Sequence, residues 1–138
     1  MDSMAMTATE IRNLAAKNLP HRYEPLNLIF FGSESRLADE YVFIGREDYG
    51  PDICVNVANG EVFSIDPEGR LPSRLINSSI KELGRCIEVA DKYPRKAGEG
   101  PEVTADYLRE EITRIDARAL ENEENWWSVI LEQLSAGL

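Results

Sequence analysis

Apolar positions in this chain recur with a helical period at both ends and with a strand period in between. Near the start, Ile11, Leu14 and Ala15 stand at i, i+3 and i+4 and define one apolar face. Thr7 and Glu10 have the spacing of a capping box, and Pro20 stops the pattern, so a short helix is predicted over 7–20. LNLIFF (26–31) is too short for a globular helix and reads as a buried strand. Gly32-Ser33-Glu34-Ser35 breaks it and begins a polar loop that runs to Asp39. EYVFIG (40–45) is β-branched and aromatic, hence a strand, and Arg46 to Pro51 reads as a turn. DICVNV (52–57) alternates, with Ile53, Val55 and Val57 on one side and Asp52, Cys54 and Asn56 on the other. Asn59-Gly60 then predicts a two-residue hairpin turn, because both residue types accept positive φ. EVFSID (61–66) returns antiparallel, Pro67-Glu68-Gly69 turns again, and RLPSRLIN (70–77) is a further strand, with Pro72 suited to an edge or a strand start. Val42, Ile44, Ile53, Val55, Val57, Val62 and Ile65 are the expected buried side of the sheet.

From residue 79 the period returns to 3.6. Ser79 and Glu82 form a second capping box, and Ile80, Leu83, Ile87 and Ala90 make an apolar stripe that predicts a helix to about Tyr93. Gly84 in that helix is expected to permit a close approach to the sheet. Residues 94–101 are rich in Pro, Gly, Lys and Arg and read as a mobile loop. Thr104 is placed as the cap of a helix with Leu108, Ile112 and Ile115 on its apolar face. Asp116–Ala119 links it to a last helix over 121–134, with Trp127, Ile130, Leu131 and Leu134 inward, Trp126 at the edge, and Glu121, Glu123 and Glu124 in the first turn. Grouped strands followed by grouped helices predict an α+β fold: an antiparallel sheet of about four to six strands, an N-terminal helix and three C-terminal helices packed on it. No internal repeat or low-complexity tract interrupts the pattern.

Composition narrows the chemistry more than the fold. The 138 residues fit one domain, 1–138, with residues 1–6 expected to be flexible, and such a chain buries a core without metal or disulfide staples. Cys54 and Cys86 belong to no CxxC pair and read as two buried, reduced thiols; a disulfide between them is geometrically open but unsupported. The first residues lack a basic start and an apolar core, and no run approaches the ~20 apolar residues of a membrane span, so a cytoplasmic protein without membrane contact is expected. Net charge is −10, with 12 acidic and 5 basic side chains in residues 1–69 against 13 and 10 in residues 70–138. That balance disfavours nucleic-acid binding, which needs a positive surface, and suits a basic protein partner. Solubility alone would also account for it.

Candidate chemistry is sparse. The single histidine, His21, reads as a surface residue. No nucleophile elbow, phosphate-binding loop or zinc-helix motif occurs, so no catalytic, cofactor-binding or metal residues are assigned. Glu47, Asp48 and Asp52 flank one turn, and Asp66 and Glu68 another; the spacing of a calcium-binding EF-hand is missing. These five carboxylates read either as solvated turn residues or as contacts for a basic partner. Trp126, expected beside the core rather than in it, is a candidate anchor for the same partner.

Taken in order, these segments resemble the SUKH superfamily, and within it the bacterial immunity subgroup numbered four. The resemblance is carried by Leu19-Pro20, Ile44-Gly45, Asp48-Tyr49-Gly50 before Ile53-Cys54-Val55, Gly60 with Val62, and Asn77-Ser78-Ser79 at the helix start. It continues in Asp116-Ala117-Arg118-Ala119-Leu120 and Trp126-Trp127-Ser128, and covers about residues 10–138. Leu83-Gly84-Arg85 departs from the aromatic-rich opening often seen in that helix. The resemblance implies an α+β domain that binds and neutralises a cognate protein toxin, often a basic nuclease or deaminase, with no catalytic residues of its own. An adaptor or scaffold role outside toxin systems is the alternative within the superfamily. A small hydrolase working through turn carboxylates is the reading from a third class.

Overall fold

The structure, a computed structural model, describes residues 6–30, 37–38, 40–47, 50–92 and 101–136. It is α+β, with an N-terminal helix, an antiparallel sheet and three C-terminal helices. Helix α1 (Ala8–Asn18) starts at the predicted capping box: Thr7 Oγ1 accepts from the Glu10 N–H and the Glu10 carboxylate accepts from the Thr7 N–H. It ends two residues before Pro20. The strands are β1 (Arg22–Tyr23), β2 (Leu28–Phe30), β3 (Leu37–Ala38), β4 (Tyr41–Glu47), β5 (Asp52–Asn56), β6 (Val62–Ile65) and β7 (Arg74–Asn77). Among the described residues, the sheet runs β1-β2-β4-β5-β6-β7, every neighbour antiparallel, and β3 pairs the opposite end of β4 from β2.

The short β1 has no periodic signature in the sequence, since two residues are too few to show one. Leu26 belongs to a 3-10 turn (Glu24–Leu26) closed by Asn27 in the left-handed region at φ 55, so β2 starts later than LNLIFF suggests. Strand β4 runs through Arg46 and Glu47, which corrects the placement of both in a turn. The β5–β6 connection also differs from expectation. It spans five residues, 57–61, with the Gly60 N–H donating to the Asn56 carbonyl at 2.8 Å and the Asn56 N–H to the Glu61 carbonyl at 2.9 Å. Gly60 alone of the Asn59-Gly60 pair has positive φ, at 78°, so this is not the two-residue turn. Asn59 instead uses its side chain, accepting from the Glu61 N–H at 3.0 Å.

Bulges shape the sheet at two places. Between Phe43 and Gly45 the pairing with β5 shifts, and Ile44 is the extra residue. Between Val62 and Phe63 it shifts against β7, leaving Ile76 extra. Gly45 is required where β4 crosses β2, because a Cβ there would overlap the Ile29 carbonyl oxygen. The inner face carries Val42, Ile44, Ile53, Val55, Val62 and Ile76, all buried. Ile65 does not join them: Ser64 lies on the inner side and Ile65 is half-buried on the other.

Three helices complete the core. Helix α2 (Ile80–Lys92) buries Ile80, Leu83, Cys86 and Ile87. At its start the Glu82 N–H donates to Ser79 Oγ at 3.2 Å, and the Ser79 hydroxyl donates to the Glu82 carboxylate at 3.0 Å. Gly84 faces α1 rather than the sheet, since a Cβ would overlap the Asn18 carbonyl oxygen. Helix α3 (Pro101–Ile115) begins three residues before Thr104, which is buried inside it and is not the cap; a proline is well suited to a first helical turn. After the 3-10 turn Ala117–Leu120 comes α4 (Trp126–Ser135), so Glu121, Glu123 and Glu124 precede the helix instead of lying in its first turn. Of the loop expected over 94–101, residues 94–100 lie outside the described residues, and Pro101 instead opens α3.

Candidate functional site

Three strand ends gather the predicted acids. Arg46 stands opposite Asp52, and Asp52 opposite Ile65, so the end of β4, the start of β5 and the end of β6 share one end of the sheet. Glu47, Asp52 and Asp66 sit there, and Glu68 follows in the β6–β7 turn. Asp48 lies outside the described residues.

The local environment gives each acid a different character. Asp66 clamps its turn: one carboxylate oxygen accepts from the Glu68 N–H at 3.0 Å, and the other from the Arg70 and Leu71 N–H groups at 3.0 Å each. Gly69, at φ 71, closes the same turn by donating to the Asp66 carbonyl at 3.0 Å. These donors, led by the Glu68 N–H, hold the Asp66 carboxyl below its ordinary range. The turn holds Leu71 out to solvent, 57% exposed. Glu68 pairs with Arg70 at 3.1 Å, both well exposed, a contact of ~1 kcal/mol or less. Asp52 is half-buried on the outer side of the sheet, away from the helices.

Glu47 turns the other way. It stands opposite the buried Leu28, and its carboxylate accepts from the Ser64 hydroxyl at 3.3 Å and from the Trp126 side chain. Burial pushes its carboxyl up, while those two hydrogen bonds and the nearby Arg74 guanidinium pull it down less strongly. Arg74 also donates to the Glu124 carbonyl at 2.5 Å, tying β7 to the segment before α4. Glu47 is therefore no solvated turn carboxylate. Nor is Trp126 at the edge of the core: it is 4% exposed and packs edge-to-face on Trp127 at 4.9 Å. The adjacent rings both fit inside because Trp126 meets Glu47 at the end of β4 and Trp127 meets Asn77 at the end of β7.

At the other end of β7, where Asn77 pairs with Val62, lies a buried polar knot. The Trp127 indole N–H donates to Asn77 Oδ1 at 2.9 Å, and Asn77 Nδ2 donates to Asp116 Oδ2 at 3.0 Å and towards Cys86 Sγ at 3.5 Å. Asp116 also accepts the Ser78 N–H and the Ser78 hydroxyl, each at 2.8 Å. Among the described residues no buried side-chain nitrogen or oxygen is left without a partner. Burial carries the Cys86 thiol up to about 12, so it stays protonated at neutral pH. Cys54 and Cys86 are both buried and form no disulfide.

The knot went unread in the sequence as an interaction. Its signal was nonetheless there, because Asn77-Ser78, Asp116 and Trp127 lie within the segments that carry the resemblance. Those segments are framework: they join β7, α2, α3 and α4 through side chains that pair with each other. His21 is exposed. Among the described residues no three His, Cys, Asp or Glu side chains form a group able to hold a metal, and no helix is long and apolar enough to cross a membrane.

No curated protein and no solved structure matches the chain. The family model described as SUKH-4 immunity protein matches residues 13–133, a span that holds the sheet, the knot and most of α4. The chain therefore belongs to the SUKH-4 immunity protein family.

Proposed function

We propose that this protein is a non-enzymatic, single-domain inhibitor that binds and neutralises a cognate protein toxin in the cytoplasm, and that the toxin is basic. The observation that carries the reading is membership of the SUKH-4 immunity family over residues 13–133. Charge supports the basic partner. The chain carries a net −10, and residues 34–68 alone hold 9 acidic and 2 basic side chains. A toxin that grips nucleic acid, such as a nuclease or a nucleic-acid deaminase, presents lysines and arginines that this surface attracts. Asp52, Asp66 and Glu68 face outward at the acidic end of the sheet and would meet the partner. Glu47 and Trp126 support that end from behind.

Co-expression tests the reading. The toxin domain encoded beside the gene is induced in a host with and without this protein. Growth restored by the full chain, together with a stable complex on purification, is the expected result. Continued killing and no complex, with the toxin domain shown to be active, refutes it.

A further inference from the structure

The two faces of the sheet differ in what covers them. The inner face lies against helices, α1 on β4 and both α2 and α4 on β7, and its side chains belong to the buried core. The outer face is built by the alternate residues, and the register aligns them in rows. Phe43, Cys54, Phe63 and Leu75 are successive partners across β4, β5, β6 and β7. Ile29 and Ile65 lie in the next row, with Arg46 and Asp52 between them. Tyr41 packs edge-to-face on Phe63 at 6.0 Å. Ile29, Tyr41, Phe63, Ile65 and Leu75 are half-buried and belong neither to the packed core nor to the apolar residues packed against it.

Four strands thus present adjacent aromatic and aliphatic side chains outward, a concentration unlike the singly scattered apolar residues of an ordinary surface. The surrounding charge says what fits. Residues 40–77, which make these strands and their turns, hold 7 acidic and 3 basic side chains. Glu40 and Glu61 stand at one end of the strands, and Asp52, Asp66 and Glu68 at the other. An apolar centre between acidic ends matches the usual anatomy of a specific interface, with a desolvated middle and a charged rim.

We propose that this outer sheet face, centred on Phe63, Ile65 and Leu75, seats the toxin, and that the toxin meets it with an apolar patch ringed by lysine and arginine. The proposal rests on the immunity reading and adds the surface to it. The acidic ends steer the encounter, and the aromatic rows supply the buried contact that slows release.

Methyl NMR on the full chain, titrated with the inactivated toxin domain encoded beside its gene, tests the surface. The methyls of Ile29, Ile65 and Leu75 are expected to shift or broaden, while those of Leu120, Ile130 and Leu134 on the helix side stay in place. Phe63→Lys and Leu75→Arg are each expected to weaken binding by about 30-fold or more, the scale of an interface hot spot, with melting temperature held within a few degrees. If either variant fails to fold, the methyl map of the unaltered chain decides. Shifts confined to helix-side methyls overturn the surface and leave the immunity reading standing. A dimer of the free chain that Phe63→Lys dissociates, with toxin bound elsewhere, likewise overturns it. An unaltered chain that neither binds the toxin domain nor rescues growth refutes the immunity reading itself.

Discussion

Asp116 is the residue on which most depends for the least surface. Its carboxylate is 5% exposed and accepts three hydrogen bonds from Asn77 and Ser78. Replacing it by alanine strands an amide and a hydroxyl together with a backbone N–H, each costing ~1–3 kcal/mol when buried without a partner. Asp116→Ala is therefore expected to lower stability by about 3 kcal/mol or more in chemical denaturation. Trp127→Phe, which unpairs only Asn77 Oδ1, is expected to cost less. Glu47 behaves in the opposite sense. Its folded-state pKa is raised, so the folded state binds the proton more tightly than the unfolded chain does. Stability is then lost as pH rises from the ordinary glutamate value of 4.5 through the raised one. Glu47→Gln is expected to keep the Ser64 and Trp126 bonds, to melt higher than the parent at pH 7, and to flatten the decline between acid and neutral pH. Thermal melts across that range read the effect; a variant that melts lower at pH 7 would show the charge to be stabilising.

At the scale of elements, the hydrophobic period located every major strand and helix, because each buries one face against the same core. The sheet order was legible only as antiparallel hairpins. What the sequence did not disclose depends on tertiary neighbours. Glu47 reads as a turn residue until β4 is seen to pair with β2 as far as Leu28. Trp126 reads as an edge residue because one helix face is too narrow for two indoles, yet the sheet end receives the second. Thr104 imitates a cap and lies inside α3. Gly84 marks a close approach in the sequence, but its partner is the α1 backbone and not the sheet, since no sequence pattern tells the two apart. That contact gives a prediction at the same scale. Alanine at position 84 gains ~1 kcal/mol of helix propensity, but its Cβ overlaps the Asn18 carbonyl, a backbone atom with little freedom to give. Gly84→Ala is expected to lower stability by about 1–2 kcal/mol net and to raise hydrogen exchange at the last turn of α1.

Over the whole molecule the charge is spread unevenly, with 12 acidic and 5 basic side chains in residues 1–69 against 13 and 10 in residues 70–138. At the sheet end, Asp52 is half-buried on the outer side and Glu68 is exposed beside Arg70, whereas Asp66 shapes its turn. Asp52→Lys combined with Glu68→Lys is expected to reduce the association rate with the toxin domain by about 10-fold at low salt and to flatten its salt dependence, with dissociation little changed. Stopped-flow association at several ionic strengths checks this, and an unchanged rate would make the acidic end a matter of solubility. The acidic turns of the candidate site are written in local sequence and so can be read from it. The outer aromatic rows are composed of residues from four strands and have no local signature.

The knot has a further consequence, one of timing. Its members stand far apart along the chain: Trp127 bonds a residue 50 positions earlier, and Asp116 one 39 positions earlier. As the chain leaves the ribosome, α1, the sheet and α2 emerge first, with Asn77 and Ser78 still wet and unpaired. Only when α4 has followed can the polar groups be sealed and the core dried. The sheet is thus drafted early and locked late, once Trp127 has emerged to close the knot on Asn77.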